Sequence, residues 1–286
     1  MKGTIIKGIG GFYYVRNAEG EIIECKARGK FRKDRILPMI GDEVEAEIKN
    51  GKGTITEIYP RRTKLIRPAV ANIDAVVIVA ASKSPDPNTA LIDRMLVNAE
   101  INGIKAIVCI NKSDLADSCE LESIYKNAGY ETASVSAATG EGIDRLFSMI
   151  EGKTAAFAGV SGVGKSSILT LITGSELETG EVSEKISRGR HTTRHVELFP
   201  VRGGGYVLDT PGFSSVETEE ITPGELGDCF PEIRSVAGEC RFRGCAHIDE
   251  PDCAVKALLE NGRMAKSRYE SYKELYELQR SKKTWK

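Results

Sequence analysis

Two short stretches carry residue types that handle phosphate and purine. Residues 159–167 read GVSGVGKSS, and residues 111–114 read NKSD. In the first, glycines let the backbone of Gly159, Val160, Ser161, Gly162, Val163 and Gly164 bend so that successive N–H groups meet one phosphate. Lys165 neutralises charge on β- and γ-phosphates, and the Ser166 hydroxyl is a ligand for Mg²⁺. Ser167 continues into a helix whose N-terminus adds a partial positive charge. In the second stretch, the Asp114 carboxylate accepts the adjacent N1–H and N2–H₂ donors of guanine, a pair adenine lacks. Asn111 can bond N7 and tie neighbouring loops together. The aliphatic stem of Lys112 can cover the base. By itself NKSD is weak, because Ser-x-x-Asp also serves helix capping.

Further groups lie between and beyond these two. Ser136, Ala137 and Ala138 are small, which lets a backbone N–H reach the guanine O6. Asp209-Thr210-Pro211-Gly212 places a carboxylate for Mg²⁺ through water and a Gly212 N–H for the γ-phosphate, although the same residues make a good turn. In the interval before it, SRGRHTTRH offers Thr192 and Thr193 as magnesium-binding switch threonines. Many GTPases carry a glutamine after Asp-x-x-Gly to orient the attacking water. Here the position is Phe213, which neither donates nor accepts, and His191 is the best local substitute.

A separate constellation, Cys240-x₄-Cys245-x-His247-x₅-Cys253, puts three thiolates and one imidazole within 14 residues. That set closes a tetrahedral shell and suits one structural Zn²⁺. Cys25, Cys109, Cys119 and Cys229 read as packing.

Elements must position these groups. Over residues 1–60, β-branched and aromatic runs separated by Gly and Asn/Asp predict a small barrel, an OB-fold. From residue 72, apolar runs alternate with helical spacing: IDAVVIVAAS, TALIDRMLVNAEING, KAIVCINKSD, LESIYKNAGY, ETASVSA, GIDRLFSMIEG, TAAFAGV, GKSSILTLITG. This predicts a mainly parallel sheet covered on both faces, with each motif where a strand meets a loop. After residue 218 the pattern is helical around the cysteines. The expected domains are 1–64, 65–218 and 219–286. The motif order is base, small-residue loop, phosphate loop, first switch, second switch. Proteins that carry both motifs usually have the phosphate loop first, so the order is circularly permuted, which a sheet tolerates when the old termini lie close.

Composition bounds the rest. The chain has 286 residues, no apolar run long enough for a membrane helix and no signal-peptide pattern, so a cytoplasmic protein without membrane contact is expected. Seven cysteines do not make a disulfide framework. Residues 1–68 hold 15 basic and 9 acidic residues, and residues 262–286 hold 8 and 3. Basic ends around an acidic centre suit a polyanion such as RNA, or plain solvation. KARGKFRKDR, residues 26–35, has six basic residues, with Phe31 available for stacking on a base. Arg280, Lys282 and Lys283 add charge at the other end.

The barrel, the permuted centre and the Cys₃His end, with NKSD, GVSGVGKSS, GRHTTRH, DTPGF and C-x₄-C-x-H-x₅-C in this order, resemble the small-ribosomal-subunit-dependent GTPase A (RsgA) family over essentially the whole chain. The resemblance implies a cytoplasmic GTPase that binds the small (30S) ribosomal subunit and 16S rRNA and assists late maturation, and a monomer is expected because nothing in the sequence suggests an obligate dimer. Hydrolysis to GDP is implied to be slow alone and stimulated by the subunit. GTP state would control affinity for the subunit, and guanosine tetraphosphate would share the pocket. His191 matches the family's water-positioning histidine, Thr193 its magnesium threonine, and Phe213 its hydrophobic replacement of glutamine. Two other readings stay open: a GTP/GDP-sensing RNA-binding switch without catalysis, and a GTPase acting on another RNA.

Overall fold

The computed structural model describes residues 1–33, 36–65, 68–174, 196–210 and 221–283. They fall into two compact units. One gathers the described residues of Met1–Ala75, Phe147–Phe157 and Ser166–Gly212, the other those of Val76–Leu146, Ala158–Lys165 and Phe213–Lys286.

The first unit opens with β1 (Lys2–Ile9), β2 (Phe12–Asn17), β3 (Ile22–Ala27), the short α1 (Lys30–Lys33), β4 (Glu43–Lys49) and β5 (Lys52–Ile58). The five strands close a barrel in the order β1-β2-β3-β5-β4, with β4 returning to β1, the OB-type arrangement expected. Asn50-Gly51 joins β4 to β5 with φ of 52° and 75°, the left-handed pair that a two-residue hairpin requires. Alternate residues Ile5, Val15, Cys25, Val44, Ala46 and Ile55 fill the interior. Phe31 joins them at 6% exposed, so it is not available for stacking. The physical reason is that a small barrel has to be filled by side chains, and α1 delivers one large ring to its end.

After the barrel come β6 (Lys64–Leu65), β7 (Val70–Ala71) and β8 (Ala75–Ala81). All seven residues of β8 are buried. Then follow α2 (Thr89–Ile101), β9 (Lys105–Asn111), α3 (Cys119–Asn127), β10 (Glu131–Ser134), α4 (Ile143–Ile150), β11 (Thr154–Ala158), α5 (Lys165–Thr173), β12 (Phe199–Pro200) and β13 (Tyr206–Asp209). The sheet order is β10-β9-β8-β11-β13-β12. β10 runs parallel to β9 and β11 parallel to β13, as the buried apolar runs predict. The edge strand β12 is antiparallel to β13, which the strand–helix alternation does not show.

In the second unit, a 3-10 turn (Leu226–Cys229), α6 (Pro231–Arg234), α7 (Ala254–Glu260) and α8 (Lys266–Lys283) surround a core of Phe230, Ile233, Val255, Leu258, Tyr272 and Leu275, which also takes in Val97 of α2. Beside it, Arg268 of α8 is 1% exposed. Its guanidinium donates to both oxygens of Glu232 at 2.8 and 2.9 Å and to Asp93 of α2 at 2.8 Å. Among the described residues no helix is long and apolar enough to cross a membrane.

Candidate functional site

β9 ends at Asn111, whose side chain is 1% exposed and bonds in two directions. Its Nδ2 donates to the Val163 carbonyl at 2.8 Å, and its Oδ1 accepts the Ala137 N–H at 3.0 Å. One amide therefore joins the base motif, the phosphate loop and the small-residue loop. The loop-tying role expected of Asn111 is in place. The Ala137 N–H, expected among the groups reaching a guanine O6, is already engaged by Asn111.

Lys112 takes a left-handed φ of 65°. Its ammonium donates to the carbonyls of Gly162, at 2.7 Å, and Ser84. The Ser82 hydroxyl holds the Lys112 carbonyl at 2.6 Å. Ser82 and Ser84 thus support the base motif, though nothing in their sequence context marks them. Asp114 is exposed at the rim, and its Oδ1 accepts from the buried Ser136 hydroxyl at 2.5 Å. Ser136 Oγ in turn accepts the Thr139 N–H at 3.2 Å. A carboxylate held by one hydroxyl on an already fixed loop is pre-oriented for a ligand with two adjacent donors.

The phosphate loop follows β11 and opens α5, the strand–loop–helix context that its glycines require. Gly159, Gly162 and Gly164 have φ of 146°, 80° and 91°. A Cβ on Gly164 would overlap Asn111 Nδ2, and one on Gly159 would overlap the Val79 carbonyl. The tight approach of backbone to side chain is thus what Gly164 is needed for. Val163 is buried beneath the loop, while Ser161 and Gly162 are exposed. The Lys165 ammonium lies back on the loop, donating to the Gly159 and Val160 carbonyls at 2.9 and 3.2 Å. Ser166 and Ser167 fall in the first turn of α5.

β13 brings Asp209 opposite Phe157 at the end of β11. The next residue, Thr210, donates both its N–H (3.0 Å) and its hydroxyl (2.9 Å) to the Phe157 carbonyl, which pins the strand end. Gly212 and Phe213, and His191, Thr192 and Thr193, lie outside the described residues.

The four metal-ligand candidates come together. Sγ of Cys240, Cys245 and Cys253 and one ring nitrogen of His247 all lie within 4.8 Å of one another. Cys240 Sγ is 4.0 Å from Cys253 Sγ and 3.5 Å from His247 Nδ1, and Cys253 Sγ is 3.4 Å from that nitrogen. A tetrahedral Zn²⁺ with its usual bond lengths needs about 3.8 Å between sulfurs and about 3.6 Å from sulfur to nitrogen. The donor set therefore fits. Burial keeps the His247 imidazole below its ordinary pKa, in the neutral form that ligates. Tyr269 and Tyr272 of α8 donate to the His247 and Ala246 carbonyls at 2.7 and 2.8 Å, holding the loop from behind. Cys229 stands apart, in the core.

On the barrel, Lys26, Arg28 and Lys30 are exposed, and the Lys26 ammonium sits 4.9 Å from the centroid of the Phe12 ring. On α8, Arg280 is exposed and lies 3.8 Å from Glu277.

The RsgA GTPase family model matches residues 58–219, and that of the RsgA N-terminal domain matches residues 2–55. A protein of Caldanaerobacter subterraneus subsp. tengcongensis named small ribosomal subunit biogenesis GTPase RsgA is 50% identical over 277 residues, covering 95% of this chain and 93% of that one. The solved structure of YloQ, described as a circularly permuted GTPase, superposes with a TM-score of 0.82 at 39% identity, covering 98% of this chain and 95% of YloQ. YjeQ from Thermotoga maritima gives 0.81 at 38%, covering 96% of each chain. Likeness at this level along nearly the full length leaves no large segment to another architecture: the chain belongs to the RsgA GTPase family.

Proposed function

We propose that this protein hydrolyses GTP to GDP and phosphate during late maturation of the small ribosomal subunit, and that it binds the subunit through 16S rRNA. The observation that carries the GTP pocket is the Asn111 amide, which bonds the phosphate loop on one side and the Ser136–Ala137 loop on the other. It joins three motifs, separated in a permuted chain, into one pocket. The relatives' printed name supplies the subunit.

Asp114 accepts the guanine N1–H and N2–H₂, with Ser136 holding its other lone pairs in place. Lys165 leaves the Gly159 and Val160 carbonyls for the β- and γ-phosphates, and the loop N–H groups with the α5 N-terminus complete the cradle. The hydroxyls of Ser166 and Thr193 and the carboxylate of Asp209 are hard oxygen donors suited to Mg²⁺, which neutralises phosphate charge when bound. Asp209 acts through water, and the Gly212 N–H reads the γ-phosphate. His191 orients the water that attacks the γ-phosphorus in line, while the bond to the bridging oxygen breaks and GDP leaves. Cys240, Cys245, His247 and Cys253 hold one structural Zn²⁺. The working domains are 1–64 for RNA, 65–218 for GTP and 219–286 for the metal. The protein acts as a cytoplasmic monomer, and guanosine tetraphosphate competes for the pocket.

Replacement tests the catalytic assignment. His191→Ala is expected to keep GTP affinity and lose most subunit-stimulated turnover. Unchanged stimulated turnover would remove His191 from the reaction.

A further inference from the structure

One serine from a separate loop grips the base motif at two successive peptides. Ser82 follows directly on the fully buried β8 and is itself half-buried. Its N–H donates to the Asn111 carbonyl at 2.8 Å, and its hydroxyl donates to the Lys112 carbonyl at 2.6 Å. Ser82 and Lys112 stand 30 positions apart in sequence.

Lys112 is the residue of the motif that most needs such a grip. Its φ of 65° is left-handed. A residue with a Cβ is disfavoured there, by an amount comparable with what one good hydrogen bond returns. The Lys112 carbonyl also accepts the Leu115 N–H at 2.9 Å, which closes a turn over residues 112–115. Asp114 is the third residue of that turn. On its other side, the Ser113 N–H donates to the Val135 carbonyl at 3.1 Å, and Asp114 Oδ1 accepts from the Ser136 hydroxyl. Ser136 therefore fixes the Asp114 side chain, while Ser82 fixes the peptide from which the turn starts. The loop that carries Ser82 is held in its turn. The Lys112 ammonium donates back to the Ser84 carbonyl, and Asn88 Oδ1 accepts the Leu91 N–H at 3.1 Å at the start of α2.

A carboxylate that must meet two adjacent donors tolerates little rotation, because hydrogen bonds weaken steeply away from line. We propose that Ser82 is a positioning residue for base specificity: it holds the Lys112 carbonyl in the turn that presents Asp114 to guanine. This inference rests on the guanine-reading role of Asp114 given above. Its consequence is selective. Inosine diphosphate has the phosphates, N1–H and O6 of GDP but lacks the 2-amino group. A well-placed carboxylate separates the two by one charge-assisted hydrogen bond, and a misplaced one does not.

The test is competition binding of GDP and inosine diphosphate to the full chain, as wild type, Ser82→Ala and Ser82→Thr. The wild type is expected to prefer GDP. Ser82→Ala should lower that preference by about threefold or more, chiefly by weakening GDP, with a thermal midpoint close to wild type. Ser82→Thr keeps both donors and should restore the preference. On an Asp114→Ala background, Ser82→Ala should change the ratio no further, because its effect runs through that carboxylate. Equal weakening of both nucleotides by Ser82→Ala overturns the proposal, since it would make Ser82 a general support of the pocket. So does a Ser82→Thr protein as impaired as Ser82→Ala, or an effect of Ser82→Ala that persists undiminished without Asp114. A wild-type preference for GDP that survives Ser82→Ala removes this inference alone. Equal binding of both nucleotides by the wild type removes the guanine reading of the site, and this inference with it.

Discussion

At the scale of single residues, the pocket depends on groups whose partners are already fixed. Asp114 is held by Ser136, and the role we propose for its carboxylate is to accept two guanine donors. Asp114→Asn replaces that acceptor with a mixed group, which costs one charge-assisted hydrogen bond, about 1.5–3 kcal/mol. GTP affinity should fall by roughly 10- to 100-fold. Xanthosine triphosphate, whose C2 carbonyl prefers a donor, should bind better than GTP. Competition binding measures both, and an unchanged guanine preference would remove Asp114 from base reading. Gly164→Ala should abolish nucleotide binding, because the new methyl overlaps Asn111 Nδ2 and forces apart the amide that joins the loops. A Gly164→Ala protein with wild-type GDP affinity would contradict that joint. Motif residues of this kind were legible in the sequence because their spacing is set by phosphate and base geometry. Phe31 was not, since an aromatic among basic residues suits both stacking and a barrel plug, and only closure of the barrel decides between them.

At the scale of elements, α8 has two tasks. Its tyrosines hold the loop that carries Cys245 and His247, and its Arg268 bonds α6 and α2. Cys245→Ser should lower bound zinc from about one per chain to near zero, since a structural site needs all four ligands. Elemental analysis reads this directly. A metal-free wild type with native stability would contradict the structural role. Arg268→Leu leaves two buried carboxylates without their cation, a change of about 3–5 kcal/mol. Burial already pushes the Asp93 carboxyl pKa up, against the pull of Arg268. A raised pKa in the folded state means that the native form binds more protons, so stability falls as pH rises through that pKa. The deficit of Arg268→Leu should therefore shrink as the pH is lowered into the carboxylate range, in chemical denaturation at several pH values. A deficit independent of pH would contradict this account. The sheet strands were legible as continuous apolar runs, because strands covered on both faces have no polar side. Arg268 was not, because a charged residue in a polar helix reads as solvated surface until its partners are seen. The short edge strand β12 was missed for a related reason: two residues carry no periodicity.

At the scale of the whole molecule, permutation changes what each switch leads to. In this order Asp209 precedes the C-terminal helices in sequence, and the chain after it runs covalently into them. Leu198, upstream of β12, is hydrogen-bonded to Ile6 of the barrel strand β1. RNA affinity carried by Lys26, Arg28 and Lys30 and their neighbours should fall steeply with salt, with a slope of roughly −0.7 to −0.9 per phosphate contact. A flat salt response would remove the basic ends from binding. The measurement that tests the central claim most directly is the GTP hydrolysis rate of the pure protein, alone and with small subunits, large subunits or tRNA. The account predicts slow turnover alone and strong stimulation by small subunits only, as expected of an active site in which Phe213 stands where glutamine would orient water. Bound GTP with no stimulation by small subunits would contradict it and leave a nucleotide-sensing switch without catalysis.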